Sequence, residues 1–507
     1  MQGKSVGSAL LVAAVILATT AGSAPAATTC SFKAAEHRLT IEIGNGDLAN
    51  VSVVGGEIVV HKDPGPAVSC SGPVPAAANT DRVRIVDVSP AGSSSVHIID
   101  PFGFGPGFSG AGGDGGAKTK EIEFHVALGA GKADSLYVGG SSGVDRIRLG
   151  KLGINPNAAA SEVAPDADIT HSGVEELGVG GGLGADTLDG QGGAGTGAPF
   201  ARPLRLDGMG GVDEINGGTK GDELIGQDGV DTIRGFGGND EIDGGSGVDE
   251  LHGGPGADLL EGGPEIDQLN GDGGADLLLG GGGADDFAGG AGIDTVSYAD
   301  HPLGVGAVVG GPGSSGNASD GAPGNRDTIA EDVENLIGTD HPTDGDVLMG
   351  NDGDNLLDGD AGPDVLNGGG GVDTVTYASR DEGVTVSFLG PGAHQGGPLD
   401  GPENARDEFI MITNVVGSRG DDEMSAGGDF IDRVFKGGAG DDRLSGGNGD
   451  DTLVGGRGRD RLLGNLGIDI LKAKDRVRDR RIDCGGGSNA QERATFDQGL
   501  DPQPVSC

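Results

Sequence analysis

The chain has 507 residues, of which 108 are glycine, and its formal net charge is −46. This charge excludes nucleic acid as the default partner, because phosphate requires a basic surface, and it disfavours binding to anionic lipid. Aromatic residues make up only 3% and tryptophan is absent, so large apolar side chains cannot supply a deep core. A compact fold with this charge needs bound cations, and the alternative is disorder.

Residues 1–26 have the pattern of a secretory signal. Lys4 supplies the positive start, Ala9–Ala18 is apolar but too short to span a bilayer, and Ala24–Ala26 fits a small-residue cleavage site. We therefore expect a secreted, extracellular protein with no membrane span after signal cleavage. A retained membrane anchor and lipidation at Cys30 are the alternatives.

The four cysteines lie in two pairs that are far apart in the chain. An even number of cysteines in an exported chain favours disulfides. Three connectivities are open, and we expect Cys30–Cys70 and Cys484–Cys507 because these pairs close the shortest loops. A cysteine metal site is the weaker interpretation, since no Cys-x-x-Cys spacing occurs.

Residues 27–180 contain several segments in which apolar and polar residues alternate, such as 39–43, 83–88 and 121–128. This alternation predicts β-strands. After Gly131 the segments ADSLYVGG and VDRIRLG look like irregular coils of a repeat array. We expect a β-rich N-terminal domain that grades into a solenoid.

The dominant feature is a nine-residue repeat in residues 181–297. A single unit, GGLGADTLD, occupies 181–189, and ten consecutive units then run in register from Gly208 to Ser297. Every unit keeps a large apolar residue at position eight. Every unit also keeps an aspartate at position six, and these are Asp186, Asp213, Asp222, Asp231, Asp240, Asp249, Asp258, Asp267, Asp276, Asp285 and Asp294.

Two further arrays follow at 350–376 and 417–472. The first has three units, of which the earliest carries Asn355 in place of aspartate, so that site is in doubt. The second begins with GSRGDDEMS, passes through a degenerate unit around Asp432 and ends in four regular units. The position-six aspartates of the two arrays are Asp364, Asp373, Asp422, Asp442, Asp451, Asp460 and Asp469.

Two long insertions separate the arrays, at 298–349 and 377–416. They begin with the similar segments YADHPLGVGAVV and YASRDEGVTVSF, which indicates a duplicated segment. We expect both to be β-excursions of the same solenoid, with a partner-binding loop as the alternative. Residues 473–507 should form a C-terminal cap held by the second disulfide. The basic stretch 472–481 should pair with nearby aspartates rather than bind nucleic acid.

Three units of the first array, at 244–252, 253–261 and 289–297, match G-G-x-G-x-D-x-U-x fully, and the arrays resemble the RTX, or haemolysin-type calcium-binding, repeat family. The chain is also similar, more loosely, to secreted actinobacterial calcium-binding proteins with such repeats. The resemblance implies an all-β fold, a right-handed parallel β-roll, which is a β-solenoid with two units in each coil. It also implies that position eight points inward and that multiple Ca²⁺ ions lie between the turns of units n and n+2.

The residue types suit this chemistry, because calcium takes six to eight oxygen ligands. The position-six aspartates supply carboxylates, and the glycine turns supply unshielded backbone carbonyls. The turn glycines that we expect at calcium sites stand at positions one and four of regular units, and they are Gly244, Gly247, Gly253, Gly256, Gly280, Gly283, Gly437, Gly440, Gly446 and Gly449.

The energetics indicate that calcium is required for folding. Carboxylates on neighbouring coils, about 4.8 Å apart, repel by about 0.9 kcal/mol even at the dielectric constant of water. Ordering nine residues costs on the order of 10 kcal/mol, whereas burying one aliphatic side chain contributes about 1.5–3 kcal/mol. We therefore expect calcium binding and folding to be one event.

The sequence predicts a non-enzymatic calcium-binding protein, with a cell-envelope or surface component as its further partner. HExxH and P-loop motifs do not occur, and the Gly139–Gly143 match to G-x-S-x-G is expected by chance in so glycine-rich a chain. His171 and Asp145 are weak candidates for its triad partners. The alternatives are a secreted hydrolase with an RTX tail and a calcium-dependent adhesin or cytolysin.

Overall fold

The computed structural model describes residues 28–33, 38–43, 48–54, 57–63, 67–71, 82–87, 95–98, 123–127, 135–141, 146–150, 153–155, 169–172, 174, 176–192, 196, 198–311, 315–316, 326–388, 406–485, 492–498 and 500–507. The signal sequence expected at residues 1–26 lies outside this part of the chain. The described residues form β-strands joined by turns and contain no helix, which confirms the all-β prediction. A search of the same residues for helices able to cross a membrane gave none.

Eleven strands precede the repeat arrays. They are β1 Thr29–Lys33, β2 Arg38–Ile43, β3 Leu48–Val54, β4 Glu57–Asp63, β5 Arg82–Asp87, β6 Ser95–Ile98, β7 Glu123–Ala127, β8 Ser135–Ser141, β9 Arg146–Gly150, β10 Gly153–Asn155 and β11 Ile169–Ser172.

Fourteen strands belong to the first array and its approach. They are β12 Glu176–Gly184, β13 Thr187–Asp189, β14 Leu204–Gly211, β15 Glu214–Asn216, β16 Glu223–Gly229, β17 Thr232–Arg234, β18 Glu241–Ser246, β19 Glu250–Gly256, β20 Leu259–Pro264, β21 Gln268–Gly274, β22 Leu277–Gly282, β23 Asp286–Ala288, β24 Ala291–Gly292 and β25 Thr295–Ser297.

The remaining strands cover the insertions and the two later arrays. They are β26 Gly306–Val308, β27 Thr328–Ile329, β28 Asn335–Ile337, β29 Val347–Met349, β30 Leu356–Asp358, β31 Val365–Asn367, β32 Thr374–Thr376, β33 Thr385–Ser387, β34 Glu408–Ile410, β35 Asn414–Val416, β36 Glu423–Ser425, β37 Val434–Ala439, β38 Arg443–Gly447, β39 Thr452–Arg457, β40 Arg461–Asn465, β41 Ile470–Ala473, β42 Arg481–Asp483 and β43 Arg493–Phe496.

Two repeat units make one coil of a parallel β-roll. Leu224 of β16 is the parallel partner of Ile242 of β18, and Leu251 of β19 is the parallel partner of Leu269 of β21. Because consecutive units lie on opposite faces, unit n stacks on unit n+2. This pairing confirms the predicted parallel roll.

The coils stack into two facing sheets. The sheet that we call the continuous sheet pairs in parallel, one strand to the next, through β3, β6, β8, β12, β14, β16, β18, β20, β22, β25, β28, β30, β32, β35, β37, β39, β41 and β43. We call the other face the opposite sheet. Its array strands are β13, β15, β17, β19, β21, β23 and β27, then β29, β31 and β34, then β36, β38, β40 and β42.

A single apolar side chain from each short strand fills the space between the sheets. Glycine at the turns and one aliphatic residue per unit leave no room for a deeper core. The position-eight residues of the first array are at most 2% exposed, and they are Ile215, Leu224, Ile233, Ile242, Leu251, Leu260, Leu269, Leu278, Phe287 and Val296. The inward orientation expected for position eight is therefore confirmed.

The N-terminal segment uses the same two sheets. Strands β2, β5, β7 and β11 pair in parallel, and β8 and β9 pair in parallel with β12 and β13 of the first array. Some of its strands bury several residues, such as Leu39, Ile41 and Ile43 of β2. Through β8 and β9 the β-rich segment is continuous with the first array.

Disulfides join the expected cysteine pairs at both ends. Cys30 of β1 is bonded to Cys70, and Cys484, directly after β42, is bonded to Cys507. Both predicted connectivities are therefore confirmed. Arg480 of the basic stretch forms an ion pair with Asp441, at 2.7 Å between Nη2 and Oδ2, as expected for the C-terminal cap.

The two insertions follow the same path. In each, the first strand is placed one coil ahead on the opposite sheet, and a later strand fills the coil that was passed over. In the first insertion β26 pairs with β29, while β27 pairs with β23 and is bridged to Val309, just after β26. In the second, β33 pairs with β36, while β34 pairs with β31. The roll therefore continues through both insertions.

Candidate metal centres

The predicted aspartates line the two edges of the roll. Each stands at the end of a glycine turn, directly before a strand, so the stacking of coils gathers the aspartates into columns. All of the predicted aspartates are between 0% and 3% exposed. In the first array one column contains Asp186, Asp213, Asp231, Asp249, Asp267 and Asp285, and the other contains Asp222, Asp240, Asp258, Asp276 and Asp294.

One carboxylate oxygen of each column aspartate is used within the protein. The backbone N–H of Asp231 donates to Oδ1 of Asp249 at 2.7 Å, and that of Asp249 donates to Oδ1 of Asp267 at 2.8 Å. In the other column the N–H of Asp240 donates to Oδ1 of Asp258 at 2.7 Å. Each bond fixes the carboxylate of one coil against the backbone of the preceding coil.

The second oxygen, Oδ2, is buried and accepts no hydrogen bond in most column aspartates. A buried carboxylate oxygen without a partner is costly, so a native structure is expected to supply a proton donor or a cation. The aspartates with this open oxygen are Asp213, Asp231, Asp240, Asp249, Asp258, Asp267, Asp276, Asp294, Asp364, Asp373, Asp442, Asp451, Asp460, Asp469 and Asp479.

The glycines at position one keep the space beside Oδ2 open. A Cβ on Gly253 would lie 2.5 Å from Oδ2 of Asp258 and 2.9 Å from the carbonyl oxygen of Gly271, one coil further along. A Cβ on Gly244 would meet Oδ2 of Asp249 at 2.8 Å in the same way. A carboxylate oxygen and a carbonyl oxygen therefore border the same small space, which a side chain would fill.

The glycines at position four serve close contact between coils. A Cβ on Gly247 would overlap the carbonyl oxygen of Gly229, and the backbone of Gly247 has φ of +151°. Only glycine adopts this conformation without strain and without collision. The other predicted glycines repeat these two arrangements, since Gly280, Gly437 and Gly446 face the aspartate of their own unit, whereas Gly256, Gly283, Gly440 and Gly449 face a carbonyl oxygen of the preceding coil.

This donor set suits a hard cation. Among the described residues no three His, Cys, Asp or Glu side chains converge in the manner of a metal site made from side chains. The turns offer one carboxylate oxygen each, together with backbone carbonyl oxygens. Calcium accepts ligands of this kind, whereas zinc sites are built mainly from cysteine and histidine. The residues present therefore fit Ca²⁺.

Burial perturbs the column carboxyl groups. Desolvation raises the pKa of Asp231, Asp249 and Asp258 to about 6 and that of Asp267 to about 7. The hydrogen bond from the preceding N–H opposes this rise, and the charge of the preceding aspartate adds to it. Without a cation, the column is thus an unfavourable place for negative charge.

At three positions, Asp222, Asp422 and Asn355, every side-chain oxygen already accepts a hydrogen bond. Oδ1 of Asp222 accepts the N–H of Leu204 and its Oδ2 accepts that of Gly218. Asp422 accepts the N–H of Ser418 at 2.8 Å and the hydroxyl of Ser418 at 2.7 Å.

Asn355 also fills its site with hydrogen bonds. Its Oδ1 accepts the N–H of Asn351 at 2.9 Å, and its Nδ2 donates to the carbonyl of Glu334 at 3.0 Å. The doubt raised by asparagine at this position is consistent with this geometry.

The columns contain further aspartates that repeat counting missed. Asp327 and Asp407, inside the insertions, accept the N–H groups of Asp285 and Asp364, both at 3.0 Å. Neither follows a glycine turn, but each begins an Asp-x-apolar step into a strand, and this shorter signal is present in the sequence. Asp479 accepts the N–H of Asp460 at 2.9 Å, but lies nineteen residues after it and so falls out of register.

The degenerate unit is different from the expectation. Arg433, rather than Asp432, occupies the column, where its N–H donates to Oδ1 of Asp451 at 2.8 Å. Asp432 is exposed and accepts the N–H of Asp450. The sequence placed the unit correctly but did not show which residue would face inward.

The serine of the G-x-S-x-G match lies in a strand. Ser141 ends β8 and is the parallel partner of Gly182 of β12. Residues 142–145, including Asp145, lie outside the described part of the chain, and His171 lies in β11. Ser141 thus belongs to the stacked sheet and not to a turn between a strand and a helix.

Comparison with known families agrees with the geometry. A model of the RTX calcium-binding nonapeptide repeat, which describes four copies of the repeat, matches residues 207–240, 225–260, 234–269, 261–296, 343–375 and 436–471. These matches fall in all three arrays. A search of curated proteins gave no match.

Proposed function

The chain belongs to the family defined by RTX calcium-binding nonapeptide repeats, and on this premise we propose that it is a secreted protein whose roll folds when Ca²⁺ binds between its stacked turns. The observation that carries the proposal is the row of buried, unpaired Oδ2 oxygens along both edges. In the regular units a position-one glycine keeps the space beside this oxygen open, and in most units of the first array a backbone carbonyl oxygen borders the same space.

The proposed ligands are the column aspartates together with carbonyl oxygens of the glycine turns. Bound Ca²⁺ would supply the positive charge that compensates the stacked carboxylates. We retain Asp186 and Asp285 because they continue the same column, and we add Asp479. Asp222 and Asp422 are left out of this set, because both of their oxygens already accept hydrogen bonds.

The chain's own residues prepare these sites. The N–H ladder holds each carboxylate with Oδ1 toward the backbone and Oδ2 toward the turn. The position-eight side chains, such as Leu260 and Leu278, keep neighbouring coils in register. Calcium at the edges and apolar contacts in the centre therefore stabilise the same stacking, which is why binding and folding should be coupled.

We propose secretion because residues 1–26 have the pattern of a secretory signal and because calcium is abundant outside cells. Sites of this kind in extracellular proteins typically need roughly 0.1–1 mM calcium. The two disulfides also suit an oxidising compartment. A structural or surface role without catalysis is our proposal for the whole chain, and it is supported by the position of Ser141 inside a sheet.

The test compares two substitutions in one repeat unit of the mature full-length chain. Asp231→Asn changes a buried column aspartate with an open Oδ2, and Asp228→Asn changes an exposed aspartate three residues earlier. Both remove one negative charge. Bound calcium is counted by equilibrium dialysis against excess calcium, followed by metal analysis.

We expect the Asp231→Asn chain to bind at least one ion fewer than the wild type, and the Asp228→Asn chain to bind the same number. Equal loss in both variants would show that calcium is held by general surface charge. No loss in either would contradict the proposed sites.

A further inference from the structure

Each insertion interrupts both aspartate columns at the same level along the roll. On the edge that leads into the opposite sheet, the interruptions contain Asp327 and Asp407. On the edge that leads into the continuous sheet, the first interruption contains Glu334 of the insertion and Asn355 at the start of the second array. The second contains Thr413 of the insertion and Arg433 of the degenerate unit that follows it. We call Tyr298, Asp327, Glu334 and Asn355 the first joint, and Tyr377, Asp407, Thr413 and Arg433 the second joint.

In the first joint a tyrosine hydroxyl donates to the Oδ2 oxygen, which accepts no hydrogen bond in most of the regular column aspartates. Tyr298 directly follows β25, is 1% exposed and donates from its hydroxyl to Oδ2 of Asp327 at 3.0 Å. Oδ1 of the same carboxylate accepts the N–H of Asp285, as a regular column aspartate does. In sequence, the residue five before Asp327 is Ala322, where a regular unit has glycine.

The second joint repeats this arrangement. Tyr377 directly follows β32, is 1% exposed and donates from its hydroxyl to Oδ2 of Asp407 at 2.6 Å. Asp407 is fully buried, and its Oδ1 accepts the N–H of Asp364. Five residues before Asp407 the sequence has Pro402, again in place of glycine.

The next aspartate beyond each joint is also capped by a hydroxyl residue. Asp346 accepts the N–H of Thr339 at 2.7 Å and the hydroxyl of Thr339 at 3.2 Å. Asp422 has the same relation to Ser418. The two joints therefore share a tyrosine before the gap and a serine or threonine after it.

On the other edge, hydrogen-bond donors of the chain occupy the turn. Asn355 donates to the carbonyl of Glu334 in the first joint. In the second joint the buried guanidinium of Arg433 donates to the carbonyl of Ile412 at 3.0 Å and pairs with Asp429 at 2.7 Å. It also lies 3.7 Å from the centre of the Phe388 ring. A fixed cation thus contacts a backbone carbonyl here.

We propose that Tyr298 and Tyr377 replace calcium at Asp327 and Asp407, so that the two joints close without metal and divide the roll into three separately loaded calcium arrays. The inference rests on the proposed calcium function of the regular columns. It assigns the calcium-dependent segments to residues 181–297, 359–376 and 437–483, with metal-free coils between them.

The physical reason is the difference between a hydroxyl and a cation as partner of Oδ2. A hydrogen bond from a hydroxyl satisfies one carboxylate oxygen without a metal ion. Because Tyr298 and Tyr377 emerge from β25 and β32, the last strands of the first and second arrays, folding of an array positions the hydroxyl that closes its end. Each joint therefore separates two calcium arrays and needs no ion itself.

The test counts bound calcium in the mature full-length chain carrying Asp327→Asn and Asp407→Asn together. An asparagine at either place can accept the column N–H with Oδ1 and donate to the tyrosine oxygen with Nδ2. We expect the same number of bound ions as in the wild type. Asp231→Asn is the matched control, because it makes the same change in a regular column and should lose at least one ion.

A second pair of variants examines the hydroxyls themselves. Tyr298→Phe with Tyr377→Phe should leave the calcium count unchanged but lower the folding equilibrium constant about tenfold per hydroxyl in urea unfolding at saturating calcium. The control is Tyr137→Phe, because Tyr137 is the remaining tyrosine of the chain and lies on β8, outside the columns. It should leave the calcium count unchanged.

The outcomes distinguish a failure of the metal-free joints from a failure of the calcium columns. A lower calcium count in the Asp327→Asn/Asp407→Asn chain would show that the joints bind metal. Wild-type stability of the double phenylalanine variant would show that the tyrosine hydroxyls do not stabilise them. If instead Asp231→Asn also keeps the full count, the calcium function proposed for the columns fails as well.

Discussion

Replacing Asp258 by asparagine should have opposite effects on the roll with and without calcium. Asp258 lies between Asp240 and Asp276 in one column, and its burial and the charge of Asp240 raise its pKa to about 6. At pH 7.5 the group is therefore ionised and is repelled from both sides. Asparagine keeps an amide oxygen that can accept the N–H of Asp240, so the ladder stays intact.

The magnitude follows from the coil spacing. At about 4.8 Å, each neighbouring charge costs about 0.9 kcal/mol at the dielectric constant of water and about 3.5 kcal/mol at an effective value of 20. Two neighbours give about 2 to 7 kcal/mol. The neutral variant should thus favour the metal-free roll by at least about 2 kcal/mol, whereas in calcium it loses a ligand and becomes less stable than the wild type.

The assay is far-UV circular dichroism of the full chain in two conditions. In chelator, folding is induced with trimethylamine N-oxide, which strengthens burial, and the variant should fold at a lower concentration than the wild type. In saturating calcium, the variant should unfold at a lower urea concentration. A change of the same sign in both conditions would refute the view that column repulsion opposes folding and calcium relieves it.

Three further predictions follow from the turns. In chelator, lowering the pH from 7 to 5 should increase β-structure by circular dichroism. The reason is that the folded-state pKa values of Asp231 and Asp267 are raised to about 6 and about 7. Groups with raised pKa values contribute stability that is full below the unfolded pKa and is lost as the pH rises through the folded pKa. A β-signal that falls on acidification would contradict this sign. Gly247→Ala should prevent the calcium-induced signal of the first array, because the new Cβ would overlap the preceding coil. Gly282→Ala should not, because its Cβ would meet nothing within 4 Å. Equal effects of the two substitutions would show that close contact between coils is not the reason for glycine at position 247. Phe236→Gly should raise the melting temperature in calcium through a gain of about 1 kcal/mol, because Phe236 has φ of +68° and is 41% exposed; a lower melting temperature would show that its packing matters more.

The repeat register could be predicted because two simple requirements recur every nine residues. Position eight must be apolar to fill the space between the sheets, and position six must carry a carboxylate at the edge. Ile242 and Asp240 satisfy both in one unit, and the structure places them in the core and in the column. The disulfides were also predictable, because short loops left few reasonable pairings.

The insertions could not be derived from the same periodicity. Their path depends on contacts between residues far apart in sequence, such as Tyr298 with Asp327 and Tyr377 with Asp407. The short Asp-x-apolar steps that place Asp327 and Asp407 are too common in an acidic chain to identify a column position alone. In the degenerate unit, one residue of register decided between Asp432 and Arg433, and packing of the guanidinium over Phe388 accompanies the choice of Arg433.

Partnering of carboxylate oxygens is likewise invisible in a repeat pattern. Asp222 and Asp422 satisfy the aspartate rule, but the N–H groups of Gly218 and Ser418 reach them because the turns before them differ from GGxGxD. A repeat unit therefore predicts where a carboxylate lies, while its local hydrogen bonds determine whether an oxygen stays open for a cation.

The most direct measurement of calcium-driven folding is a titration of the mature full-length chain, starting in chelator at pH 7.5, with Ca²⁺ and in parallel with Mg²⁺. Far-UV circular dichroism should show a cooperative change from coil to β-structure near roughly 0.1–1 mM Ca²⁺. Mg²⁺, which demands a tighter octahedral shell and gives up its waters reluctantly, should produce no such change. A chain that already has its full β-signal in chelator, and does not change as Ca²⁺ is added, would contradict the account.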